Sequence, residues 1–67
     1  MSQAGDVVRA ARARAGVSQR ELAERAGTAQ AAISRIETGR EQPTVDRLAQ
    51  ILAVLGWRMA IDLEPID

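Results

Sequence analysis

The 67-residue sequence contains no cysteine and no histidine. That removes disulfides, thiol chemistry and the ordinary zinc ligand sets together. It also lacks lysine and tyrosine, so Ser, Thr and carboxylates are the only common nucleophiles and bases left. The five glycines stand isolated at 5, 16, 27, 39 and 56, which excludes a Gly-rich phosphate loop. No enzyme, metal or cofactor is expected. No run approaches the roughly 18 apolar residues of a membrane span, and no signal-peptide pattern opens the chain, so a cytoplasmic location and no membrane partner are expected. A chain this short forms one domain at most and buries only about 60% of its unfolded surface. Without disulfide or metal staples, stability must come from close helix packing or from a second copy.

What is present is arginine and alanine. All nine basic residues are Arg, and the formal net charge is zero. The charge is unevenly placed. Residues 1–40 carry seven Arg against Asp6, Glu21, Glu24 and Glu37, a net +3, and residues 41–67 carry Arg47 and Arg58 against five acids, a net −3. A basic half beside an acidic half suggests an anionic partner at one end.

Glycine and proline divide the chain into short periodic segments. Val8, Ala11 and Ala15 share one face of a helix expected from Asp6 to Ala15, leaving residues 1–5 as a tail. Ser18-Gln19-Arg20-Glu21 has the form of a capping box opening a second helix to about Ala26, with Leu22, Ala23 and Ala26 inward. Gly27 ends it, and Thr28 is the expected N-cap of a third helix from Ala29 to about Glu37. Thr44 caps a fourth, whose stripe is Val45, Leu48, Ile51, Leu52 and Leu55, closed by Gly56. The expected fold is all-α: four short helices over residues 6–56. In residues 57–67, Trp57, Met59, Ile61 and Leu63 alternate with polar or small residues, and this predicts a β-strand. A lone strand needs a partner for its backbone, so the pattern predicts pairing across a homodimer. A C-terminal amphipathic helix is the competing reading.

The densest pattern runs from Gly16-Val17-Ser18-Gln19-Arg20-Glu21-Leu22-Ala23 through Gly27 to Ile33-Ser34-Arg35-Ile36-Glu37-Thr38-Gly39-Arg40. It resembles the helix-turn-helix domain of lambda-repressor/Cro type, the XRE family, over about residues 6–56. The resemblance implies a sequence-specific regulator of transcription on double-stranded DNA, and the short chain favours a homodimeric repressor on a palindromic operator. The bound protein would then lie on the bacterial nucleoid. On the third helix, Ala29, Ala32, Ile36 and Glu37 turn inward around Ile33. Gln30, Ala31, Ser34 and Arg35 occupy the opposite arc, from about 60° to 200°. Gln30 suits adenine, Arg35 guanine and Ala31 a thymine methyl. Ser18, Gln19, Arg20, Thr38 and Arg40 are candidate phosphate contacts, Gln19 by resemblance. The resemblance also implies an ion pair between Arg12 and Glu37 that ties the third helix to the first. The tail from Trp57 to Leu63 resembles that of HipB-like antitoxins. This supplies the alternative that the protein neutralises a kinase-like toxin and regulates its own operon. Trp57, Met59, Ile61 and Leu63 are the candidate dimerisation residues.

Overall fold

The computed structural model describes residues 3–60 and 63–66. Four helices occur among them: α1 (Gln3–Ala15), α2 (Gln19–Ala26), α3 (Gln30–Glu37) and α4 (Val45–Val54). One apolar face from each helix closes on a single core, built on Val8, Val17, Leu22, Ala23, Ile33, Ile36 and Ile51. Leu48 and Leu55 pack partly buried against it.

α1 begins at Gln3, earlier than Asp6, so residues 3–5 belong to the helix and not to a tail. Packing explains the extension. Ala4 and Gly5 are buried, and Gly5 lies under the last turn of α3. A methyl group at position 5 would fall 2.8 Å from the Glu37 carbonyl oxygen and closer still to that of Ile36. The helix tolerates glycine here because only hydrogen lets α1 and α3 approach so closely.

The capping residue Ser18 behaves as its sequence predicts, its hydroxyl accepting from the Glu21 amide at 3.0 Å. The reciprocal half of the expected capping box is not made: the Glu21 carboxylate instead accepts from Arg25 one turn on, at 3.2 Å. Gly27 takes φ +68°, the left-handed conformation that ends α2 and turns the chain toward α3. The start of α3 differs from expectation. Ala29, not Thr28, is the N-cap residue, and no side chain caps it. The Thr28 hydroxyl is engaged elsewhere, accepting from Arg47 Nη2 at 2.6 Å and so binding the turn to α4. Ala29 is accordingly exposed rather than inward, as is Ala15 at the end of α1. Val45 is 58% exposed, because α4 turns its stripe inward only from Leu48 onward.

The predicted C-terminal strand is not seen among the described residues. Residues 57–60 and 63–66 form neither helix nor strand. The physical reason is the one that pointed to a dimer: a single chain offers no second strand to pair with. Trp57 is instead fastened to α4 by its amide, which donates to the Leu52 carbonyl at 3.0 Å, and its ring lies 5.7 Å from the Arg14 guanidinium. Met59 is half-buried, Leu63 is exposed, and Ile61 lies outside the described residues.

Candidate nucleic-acid interface

The interface is built on α3. Ala32, Ile33, Ile36 and Glu37 are buried, which fixes the rotation of the helix about its axis. Gln30, Ala31 and Arg35 are thereby exposed, with Ser34 half-buried between them. The Gln30 amide has no side-chain partner among the described residues, so both its donor and its acceptor are available to a ligand. These four residues form one ridge, as their spacing predicts.

The root of α3 is held by Glu37, the one buried charged residue among those described. Its carboxylate accepts from Arg12 Nε at 2.7 Å, Arg12 Nη2 at 3.0 Å and Gln19 Nε2 at 3.1 Å. The Arg12–Glu37 pairing is thus bidentate. Arg12 Nη1 also donates to the Val17 carbonyl at 3.1 Å, and Arg9 donates to the Glu37 carbonyl. Burial alone would push the Glu37 carboxyl upward. The hydrogen bonds from Arg12 and Gln19, with the charges of Arg12 and Arg9, outweigh burial and hold it below its ordinary value. Arg12 is raised in turn, chiefly by its hydrogen bond to Glu37.

The candidate phosphate contacts flank the ridge unevenly. Ser18 and Gln19 stand at the start of α2, where backbone N–H groups and the helix dipole favour an anion. The Gln19 amide nitrogen already donates to Glu37, so a phosphate at this point would meet a side chain that is positioned in advance. Arg20 is exposed beside Glu24 at 3.5 Å, a surface pair that holds it weakly. Thr38 turns its hydroxyl back on α3, donating to the carbonyls of Ser34 and Arg35 at 3.0 and 3.2 Å. Arg40 is exposed, and its side chain has no ion-pair or hydrogen-bond partner among the described residues.

α3 thus carries an exposed ridge after the Gly27 turn, over a buried anchor. A helix-turn-helix family model matches residues 8–59. The chain belongs to this helix-turn-helix family. The family is one of transcription regulators and not of enzymes. Two uncharacterized HTH-type transcriptional regulators of Mycobacterium tuberculosis, one from strain CDC 1551 / Oshkosh and one from strain ATCC 25618 / H37Rv, are each 41% identical to it over 51 residues. That span is 76% of this chain and 36% of either relative, so the chain spans about a third of the regulators it matches. No solved structure matches the chain.

Three participants in the helix-turn-helix site escape the sequence pattern. Arg9 reads as an ordinary solvated residue of α1, yet it reaches the end of α3. Arg47 reads as surface, yet it holds the Thr28 turn. Glu41 reads as loop, yet its carboxylate accepts from Arg35 Nε at 3.0 Å. Each contact joins residues whose proximity depends on how the chain folds back, and no local period encodes it. Among the described residues no cluster of acidic side chains is arranged to hold a metal. No helix there is long and apolar enough to cross a membrane.

Proposed function

We propose that the protein is a sequence-specific, double-stranded-DNA-binding transcriptional regulator that acts as a homodimeric repressor on a palindromic operator. One observation carries this reading: Gln30, Ala31, Ser34 and Arg35 form an exposed ridge on a helix whose opposite side is locked by Glu37 and the core. Such a helix enters the major groove, where Gln30 matches adenine and Arg35 matches guanine in donor and acceptor pattern. Ser18, Gln19, Arg20 and Arg40 would set register on the phosphates. Thr38 would contribute through its oxygen, its proton being used within α3.

Dimerisation is supported by an apolar groove of about 330 Å3 between α1 and the segment after α4. Val7, Ala11, Leu52, Trp57 and Met59 line it, and no residue of α2 or α3 does. A second copy seated there leaves both recognition helices free. The exposed Leu63 and the alternating tail would then find the backbone partner that a single chain lacks.

The test is selection of sites from a random duplex library at physiological salt. The expected product is a dyad-symmetric motif with half-sites about ten base pairs apart. Arg35→Ala should then relax preference at one position per half-site, by roughly 1–3 kcal/mol of discrimination. Enrichment of no sequence would overturn the reading.

A further inference from the structure

We propose that Glu41 is a positioning residue for base recognition, fixing the guanidinium of Arg35 so that only its outer edge meets the DNA. The inference rests on the reading of α3 as the recognition helix. The segment after α3 turns back on it: the amides of Arg40 and Glu41 donate to the Arg35 carbonyl at 2.9 and 3.1 Å. This brings the Glu41 side chain beside the residue to which its own backbone is bonded. Its Oε1 accepts from Arg35 Nε at 3.0 Å. Arg35 is the only residue in the described ridge of Gln30, Ala31, Ser34 and Arg35 with a charged side chain, and it is bound at both ends of its structure, carbonyl and guanidinium, by one loop residue.

The chemistry of the guanidinium gives this arrangement a consequence. A guanidinium can offer two parallel donors to guanine O6 and N7 along either of two edges, Nε with one Nη or the two Nη groups together. Glu41 occupies Nε, which removes the first edge and leaves the end-on pair. A long, flexible side chain is thereby restricted to one approach. Pre-ordering lowers the entropy lost on binding, and that gain goes only to complexes that use the remaining fork. A carboxylate at a DNA-facing site also repels phosphate wherever the protein sits on the duplex, so it weakens non-specific binding. Glu41 therefore favours discrimination over raw affinity.

The test uses the full chain and three duplexes: the selected site, the same site with the guanine read by Arg35 replaced, and a random sequence. Anisotropy titrations compare wild type, Arg35→Ala, Glu41→Ala and Glu41→Gln. The ion pair is exposed and the backbone bonds of residue 41 survive both of its substitutions, so the fold is retained, as circular dichroism would show. Glu41→Ala should lower discrimination at the replaced guanine by roughly tenfold and bind the random duplex as tightly as wild type or tighter. Glu41→Gln loses the same charge but keeps an oxygen that accepts from Nε. It should share the change on random DNA and restore most of the discrimination. Equal loss of discrimination in both Glu41 variants would assign the effect to charge and overturn the proposal. Unchanged discrimination in Glu41→Ala, with Arg35→Ala flattened, would overturn it while leaving Arg35 as a base reader. Unchanged preference in Arg35→Ala would overturn both.

Discussion

Two oxygens of Glu37 hold three helices together. Arg12 brings α1 to them, Gln19 brings α2, and Glu37 itself is the last residue of α3. The Glu37 side chain is 3% exposed and that of Arg12 is 21% exposed, so the two ends are unequal. Arg12→Ala leaves a buried carboxylate without its cation and should cost about 3–5 kcal/mol. A domain of this size holds only some 3–10 kcal/mol in total, so thermal melts should show a severely destabilised variant. The same group sets a pH dependence. A carboxyl held lower in the folded chain than in the unfolded one contributes stability above the unfolded value and loses it as pH falls through the folded one. Melting temperature should therefore decline below about pH 4.3. Glu37→Gln should make that decline shallower. A variant with the wild-type acid slope would show that Glu37 is not the group responsible.

The two helices of the DNA-binding motif start differently. α2 has a working side-chain cap in Ser18, and α3 has none, Ala29 sitting at its N-cap in extended conformation. Ser18→Ala should cost about 1 kcal/mol, and Ala29→Ser should restore a similar amount by supplying the missing acceptor. In a 67-residue chain each change should move the melting temperature by about 4–8 °C, in opposite directions. An equal fall in both would show that the α3 start is fixed by the Thr28–Arg47 contact instead. The helices themselves were readable in the sequence, because Val8, Leu22, Ile33, Ile51 and Leu52 fall on helical periods and glycines stand at the breaks. The outer ridge of α3 followed from the same periodicity. What escaped was the use of polar groups over distance. Thr28 has the chemistry of a cap and the sequence has no means to show that Arg47, nineteen positions on, claims its hydroxyl. The α1 start escaped too, since Gly5 signals a break in isolation and a close crossing only once α3 lies above it.

The assembled domain presents two surfaces of different character. α3 and the start of α2 carry the polar ridge, and α1 with the segment after α4 carries the apolar groove. Val7 lines that groove and is 42% exposed, so Val7→Asp should leave the monomer fold intact. If a second copy docks there, sedimentation at micromolar concentration should show a dimer for wild type and a monomer for the variant. The variant should also lose the tight binding to a two-half-site duplex while keeping its affinity for one half-site. A wild type that sediments as a monomer would exclude this groove as the dimer contact. The separation of the Glu37 anchor from the ridge has a further consequence for how such a protein diversifies. Gln30 shares no side-chain hydrogen bond with the anchor, and among the described residues the Arg35 side chain is bonded only to Glu41. Substitutions there should combine almost independently with those inside. The frame can be inherited unchanged while the address it reads is rewritten, with positions 35 and 41 rewritten as a pair.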